Sequence, residues 1–393
     1  MLRFAKNTKP IRPLPFAVYF YTTVLLACGG LIISVYLAAS HYRVYTDIGY
    51  KSFCAISKAI NCDTVSQSSY SIFFGLPLPI WGIIGYTFFL LLTPLAKNKG
   101  AERKRIWTLL FLISAVFSFH SLILAVISTF YIGSYCIMCI LTYAVNLLLL
   151  FYTQMIRSRF ECEGLIDGFR LDLRYLAANK RYGLMVFSLF LAGSILTKAA
   201  IPSYWQFETP PLSASLSSGV TPSGHPWIGA ENPKLTITEY TDYQCFQCKK
   251  MHFYLRQLIA QHPDKIKLIH RNFPVDHEFN PIVKEPFHVG SGKMALMAIY
   301  AGTQGKFWQM NDLLFEKAGQ TEAINMRSLA VAVGIDADAL MRSINEPALR
   351  QKLADDIKSG LKLQIDGTPA YVIDGNVYPA QIPPEIIKDA LAD

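Results

Sequence analysis

Four stretches of the chain, residues 16–40, 71–96, 106–156 and 182–197, carry no Asp, Glu, Lys or Arg. A helix needs about 20 mostly apolar residues to cross about 30 Å of hydrocarbon, so such runs read as membrane spans. The third run is long enough to cross twice, with Gly133 as the point at which it folds. The fourth is shorter, and Lys198 at its end can snorkel to the interface. Five membrane helices are therefore expected, with the two ends of the chain on opposite sides. The first run is long and is not followed by a small-residue cleavage site, so it reads as a retained anchor and not a signal peptide.

Just over half of the 393 residues are apolar, and the formal charge of +9 is unevenly spread. Residues 1–200 hold 19 Lys and Arg against 7 Asp and Glu, whereas 201–393 hold 18 against 21. The basic residues form short clusters between apolar runs, which does not fit a nucleic-acid surface and does fit the positive-inside rule. Arg3, Lys6, Lys9 and Arg12 precede the first span. Lys97, Lys99, Arg103, Lys104 and Arg105 lie between the second and third, and Arg157, Arg159, Arg170, Arg174, Lys180 and Arg181 between the fourth and fifth. These segments are expected to face the cytoplasm. The 46–76 loop, the Gly133 turn and everything after Lys198 then face the other side. That side holds Cys54, Cys62, Cys136, Cys139, Cys245 and Cys248, three pairs in an oxidising compartment. Cys162 falls in the cytoplasm, where thiols stay reduced. Cys28 sits inside the first span as a small packing residue.

Past the spans, residues 201–226 are rich in Pro, Ser and Gly and read as a linker. "KLTITEY" then reads as a buried strand, and Phe253, Leu255, Leu258 and Ile259 follow at helical spacing. Between them lies Cys245-Phe246-Gln247-Cys248, where a strand hands over to a helix. Unpaired N–H groups and the dipole at a helix N-terminus favour a thiolate, which makes Cys245 the attacking sulfur and places Cys248, one turn inward, to resolve a mixed disulfide. A structural disulfide and half of a zinc site are the other readings. The first is a poor staple, since so small a loop constrains the unfolded chain little. The second needs two more ligands, of which His252 is one candidate. "KIKLIHRNFP" is a second strand, residues 285–354 are helical in pattern, and "GTPAYVIDGNVYPA" is a strand, a tight Asp-Gly turn and a return strand.

Residues from 227 to the end resemble a DsbA-like thioredoxin domain, through "YTDYQCFQC", "RNFP", "GKFWQMNDLLFE" and "GTPAYVIDG" in that order. The resemblance implies that Pro369 follows a cis bond and packs beside the active-site sulfurs, although most X-Pro bonds are trans. His277 stands near where such domains often carry a histidine and is given no role. Residues 1–200 resemble the vitamin K epoxide reductase family, through "FCAISKAINCDTVSQSS", "GLPLPIWGIIGY" and "CIMCILTYAVN". That resemblance implies a four-helix bundle around a quinone, with Cys54 and Cys62 as the loop pair and Cys136 and Cys139 as the membrane-end pair. It further implies that Cys62 exchanges with Cys136 and that Cys54 meets the thioredoxin-like partner. Cys139, one turn deeper than Cys136, is then nearest the quinone, and Tyr143 and Ser68 are its carried-over contacts. Tyr143 also reads as an interfacial aromatic, and Ser68 sits in a Ser-rich stretch. The family's Asn before the second span is absent from "SSYSIFFG". His120 within the third span reads as a helix-to-helix hydrogen bond.

The expected architecture is multidomain: an all-α transmembrane bundle of five spans (four in the bundle and a linking fifth) over 1–200, the linker 201–226, and an α/β thioredoxin-like fold with a helical insertion over 227–393. The expected activity is disulfide generation in exported proteins at a bacterial inner membrane, with the thioredoxin-like domain periplasmic. Electrons would pass from reduced or unfolded client proteins through Cys245/Cys248, Cys54/Cys62 and Cys136/Cys139 to ubiquinone or menaquinone in the bilayer. A disulfide isomerase or reductase is the rival in the same class, since the reduction potential set around Phe246 and Gln247 decides direction. A zinc-binding membrane scaffold is the rival outside it. An epoxide reductase proper would need an epoxide substrate that no residue indicates.

Overall fold

Residues 14–392, apart from Lys58, 98–104, 161–162, 208–209, 211–215 and 318–324, are described by the computed structural model. Arg3, Lys6, Lys9, Arg12, Lys99, Arg103, Lys104 and Cys162 lie outside the described residues. The described chain divides into a helical unit, 14–44 with 50–203, and an α/β unit, 204–392 with 45–49.

The helical unit runs α1 (Phe16–Thr46), α2 (Cys62–Gln67), the hairpin β1 (Ile72–Phe73) and β2 (Leu76–Pro77), α3 (Leu78–Ala96), α4 (Trp107–Ile127), α5 (Ile137–Arg159), α6 (Leu165–Ala178) and α7 (Lys180–Ala200). Among the described residues five helices are long and apolar enough to cross a membrane: α1, α3, α4 with its π-helical turn to Ile132, α5 and α7. The long third run does fold at Gly133, whose φ of +66° is the left-handed conformation glycine adopts without cost. The second span starts later than its apolar run, because Phe74 and Gly75 at φ +47° and +72° turn the chain back on itself. The charged stretch between the fourth and fifth spans folds into α6, which its sequence pattern did not announce. Asp172 of α6 caps α4 from afar: its carboxylate accepts from the N–H groups of Ile106 (2.7 Å), Thr108 (3.0 Å) and Leu109 (3.0 Å).

Without a hydrophobic drive between spans, close packing and internal hydrogen bonds hold the helices. Gly30 of α1 lets the Tyr86 ring of α3 lie against the backbone; a Cβ there would stand 2.3 Å from that ring. Asn146 of α5 accepts from Tyr86 Oη, donates to Ser121 Oγ at 2.9 Å, and its carbonyl accepts from Ser118 Oγ. One buried amide thereby ties α3, α4 and α5 together.

In the α/β unit the order is β3 (Ser218–Val220), β4 (Pro226–Gly229), β5 (Leu235–Thr241), α8 (Phe246–Gln261), β6 (Ile266–Asn272), α9 (Ser291–Thr303), α10 (Phe307–Lys317), α11 (Met326–Val333), α12 (Ala337–Ser343), α13 (Pro347–Lys362), β7 (Ala370–Ile373), β8 (Asn376–Pro379) and α14 (Pro384–Leu391). The sheet order is β3-β4-β6-β5-β7-β8, with β5 and β6 parallel and every other pair antiparallel. Central β5 and β6 are buried through Leu235, Ile237, Ile266 and Leu268, which form one core with α8, α9 and α10. Asp374 and Gly375 make the β7–β8 turn with φ of +50° and +81°. The sheet starts earlier than composition indicates: β3, inside 201–226, pairs with β4 around a turn closed at Gly224.

Candidate functional site

At the edge of the helical unit, the loop after α1 carries a formed disulfide between Cys54 and Cys62. Asn61 caps α2, accepting from the N–H groups of Asp63 and Thr64, and this fixes Cys62 at the first helical position. The same loop pairs with the segment before α5: Asn61 N donates to Tyr135 O at 3.0 Å, and Tyr135 N to Ala59 O at 2.8 Å. Backbone pairing thus brings the loop disulfide to Cys136. Cys54, Cys62 and Cys136 form one buried cluster, with Cys139 packed against it. Cys136 caps α5, its sulfur accepting from Cys139 N at 3.1 Å. The Cys139 thiol, then the N–H groups of Cys139 and Met138, hold the Cys136 thiol below its ordinary value, with burial opposing them.

Cys139 points instead into a cavity of about 510 Å³ lined mainly by α1, α3, α4 and α5. Tyr143 and Ser68, both named from the sequence, share its wall, while Cys136 is not among its lining residues. Ser68 Oγ is already engaged, donating to Val65 O at 2.8 Å. The wall is mostly aromatic and aliphatic, with Phe73, Trp81 and Phe117 among its rings. His120 corrects its sequence reading. It makes no helix-to-helix hydrogen bond among the described residues, but faces the cavity with its ring 5.7 Å from that of Phe73. Cys28 lies half-buried in α1 and is not part of the buried cysteine cluster.

In the α/β unit, Cys245 caps α8 as Cys136 caps α5. Its sulfur accepts from Cys248 N at 3.2 Å, and its thiol reaches the Thr368 carbonyl at 3.4 Å. The Thr368–Pro369 bond is cis, and the Thr368 carbonyl faces the Cys245 sulfur. Burial opposes a Cys245 thiolate, yet the Cys248 thiol and N–H together hold the Cys245 thiol below its ordinary value, with His288 adding to them. Burial, and then the Cys245 sulfur, push the Cys248 thiol well up. Of the two sulfurs, Cys245 is the one favoured as a thiolate and Cys248 the one favoured as a thiol.

Three residues of this site went unremarked in the sequence. Asp242, fully buried, accepts from Gln244 N at 2.6 Å, Val275 N at 2.6 Å and Ser291 Oγ at 2.9 Å, so it pins the loop that presents Cys245. His288 Nδ1 lies 3.0 Å from its carboxylate. Although burial works against it, Asp242 holds the His288 imidazole above its ordinary value. Glu239, buried on β5, meets His270 Nδ1 at 2.8 Å, and its other oxygen has no partner among the described residues. Asp242, three residues before Cys245, had a local signal; His288 sits in a distant loop and had none. His277, by contrast, is half-exposed beside Asp276 at 3.5 Å.

Residues 21–154 match the vitamin K epoxide reductase family, and residues 236–392 match the DSBA-like thioredoxin domain. The chain is a vitamin K epoxide reductase family membrane domain fused to a DsbA-like thioredoxin domain. Its five long apolar helices give it the layout of a multi-pass membrane protein. Among solved structures, a thioredoxin-like oxidoreductase from Silicibacter pomeroyi is 25% identical, covering 42% of this chain and 90% of its own, with a TM-score of 0.35. BdbD from Bacillus subtilis is 21% identical, covering 44% and 97%, also with a TM-score of 0.35. Among curated relatives, the Na(+)/H(+) antiporter NhaA of Herminiimonas arsenicoxydans is 26% identical over 212 residues, 54% of this chain. NhaA 1 of Mycolicibacterium gilvum is 22% identical over 173 residues, 44% of this chain. The chain spans about a third or less of the length of these two relatives, at 32% and 27%.

Proposed function

We propose that the protein is a quinone-dependent thiol oxidase that generates disulfides in exported proteins. The observation that carries this reading is the pair of environments on α5: Cys136 is clustered with the loop disulfide, while Cys139 borders the apolar cavity. A dithiol with one sulfur facing another disulfide and the other facing a membrane cavity is suited to relay electrons between them.

Reduced client thiols would first exchange with a Cys245–Cys248 disulfide. Clients lose two electrons and two protons, and the DsbA-like domain becomes the dithiol. The Cys245 thiolate then attacks the Cys54–Cys62 disulfide at Cys54, forming a mixed disulfide and releasing Cys62 as a thiolate. Cys248 resolves it by attacking Cys245. Cys62 in turn attacks an oxidised Cys136–Cys139 pair at Cys136, releasing Cys139, and Cys54 restores the loop disulfide. A quinone accepts two electrons and two protons when bound. The cavity suits such a group, since its volume and aromatic wall match a planar apolar head. Cys139 would deliver the reducing equivalents there, and Tyr143 and Ser68 would line the head group. Tethering the two domains raises the effective concentration of each for the other without a tight interface. The basic segments orient the exchange sites to the periplasmic face of a bacterial inner membrane.

The test is reduction of ubiquinone or menaquinone by the purified full chain supplied with a reduced, unfolded client, beside Cys139→Ala. Client-dependent reduction that disappears in the variant supports the relay. Client disulfides that reshuffle with no quinone consumed would replace the oxidase with an isomerase.

A further inference from the structure

The polar side chains in the cavity wall are mostly committed to partners of their own. Asn146, Tyr86 and Ser121 are bound to one another, and Thr142 Oγ1 donates to Met138 O at 2.9 Å. Two lining groups, His120 and Tyr70, make no hydrogen bond among the described residues. They differ in depth. Tyr70 belongs to the turn before the β1–β2 hairpin, at the mouth of the unit, and rests against Tyr131. His120 stands well inside α4. Its neighbour Ser121 bonds to Asn146, which sets His120 near the level of Asn146 on α5. Asn146 is seven residues beyond Cys139, or about 10 Å along a helix axis. An imidazole inside a span without a partner is costly, and the cost is offset when a ligand supplies the missing bond.

We propose that His120 donates the hydrogen bond that holds the inner oxygen of the bound quinone, the one farther from Cys139, and so sets how deep the head group sits. This rests on the quinone reading above. Tyr143, on the helical turn between Cys139 and Asn146, faces the same cavity, so the acceptor is bracketed by a sulfur at one end and an imidazole at the other. The Phe73 ring, 5.7 Å from that of His120, limits how far the imidazole can swing. His120 acts here as a binding residue, and it discriminates ring ligands that carry an oxygen at both ends from those that carry one.

The experiment measures binding without turnover. The full-length protein, with its cysteine pairs oxidised, is titrated in detergent with a short-tailed ubiquinone, and quenching of Trp81 in the cavity wall reports occupancy. His120→Leu is expected to weaken binding about tenfold, roughly 1.4 kcal/mol, while His120→Gln, which keeps a donor, stays within about threefold of the parent. His120→Met, also without a donor, stands in for the Leu variant if that one does not fold. A parent that binds while the donor-free variant binds equally well overturns the His120 assignment and leaves the quinone reading intact. Equal loss in the Gln and donor-free variants also overturns it, by making the imidazole a shape element only. No quenching in the parent removes the quinone reading, and this inference with it.

Discussion

Asp312 on α10 offers the sharpest test of what seats the helix that bears Cys245. Its Oδ1 accepts from His252 Nε2 at 2.8 Å and from Arg256 Nε at 3.1 Å, and its Oδ2 accepts from Arg256 Nη2 at 3.0 Å. Both partners belong to α8, and the Arg256 side chain is 0% exposed. Its Nη1 has no partner among the described residues. Asp312→Asn keeps the shape and deletes the charge, leaving a guanidinium buried without a counter-ion. Breaking one side of such a pair costs about 3–5 kcal/mol, a large part of the roughly 5–15 kcal/mol that holds a domain together. The double variant Asp312→Leu with Arg256→Met should recover part of that loss, because no guanidinium is then buried without a counter-ion, although His252 Nε2 still loses its acceptor. The assay is urea-dependent alkylation of the buried Cys248 in the reduced full chain, located by mass spectrometry. The pH dependence has a definite sign. Burial alone would raise the Asp312 carboxyl, but His252 and Arg256 hold it below the ordinary range. The stabilisation is therefore fully present above the unfolded value of about 3.9 and is lost as pH falls through the lower folded one. A shift in Asp312→Asn under about 1 kcal/mol, well short of the cost of a broken buried pair, would refute this reasoning. A double variant no better than the single one would refute it too.

Three further outcomes follow from the sites. Brief alkylation of the reduced protein at neutral pH should label Cys245 before Cys248, the first thiol being held low and the second pushed up; reversed order contradicts the assignment of attacker and resolver. Cys248→Ala should trap the Cys245–Cys54 mixed disulfide that Cys248 otherwise resolves, found by mass spectrometry of non-reducing digests, and abolish turnover, whereas Cys28→Ala should leave turnover within about twofold, since loss of a small packing group without a chemical role costs little. Asp172→Ala uncaps α4 by removing an acceptor for three N–H groups. It should lower the thermal midpoint in detergent, consistent with about 1–2 kcal/mol for a lost cap, and an unchanged midpoint would mean that water replaces the carboxylate.

Which parts could be read from the chain depended on the range over which the controlling interaction acts. The cysteine pairs were legible because their setting is local: a C-x-x-C at the start of a helix makes the first sulfur a cap, and the same geometry recurs at Cys136 and Cys245. Tyr143 was legible for the same reason, four residues from Cys139 and so on one face of α5. The β3 strand was not, because Gly, Pro and Ser serve a tight hairpin as well as a linker, and only pairing with β4 distinguishes them. Asp172 and His288 act across long loops on groups they do not neighbour in sequence, so no pattern pointed to them. His120 shows the same limit from the other side. A histidine in a span must find a partner or a cavity, and the chain alone states the need without the answer. Asn146 is bonded to Tyr86 and Ser121, and His120 faces the cavity. Local chemistry pointed to the sulfurs, and only the packing of the helices shows which side chains share the cavity with Cys139.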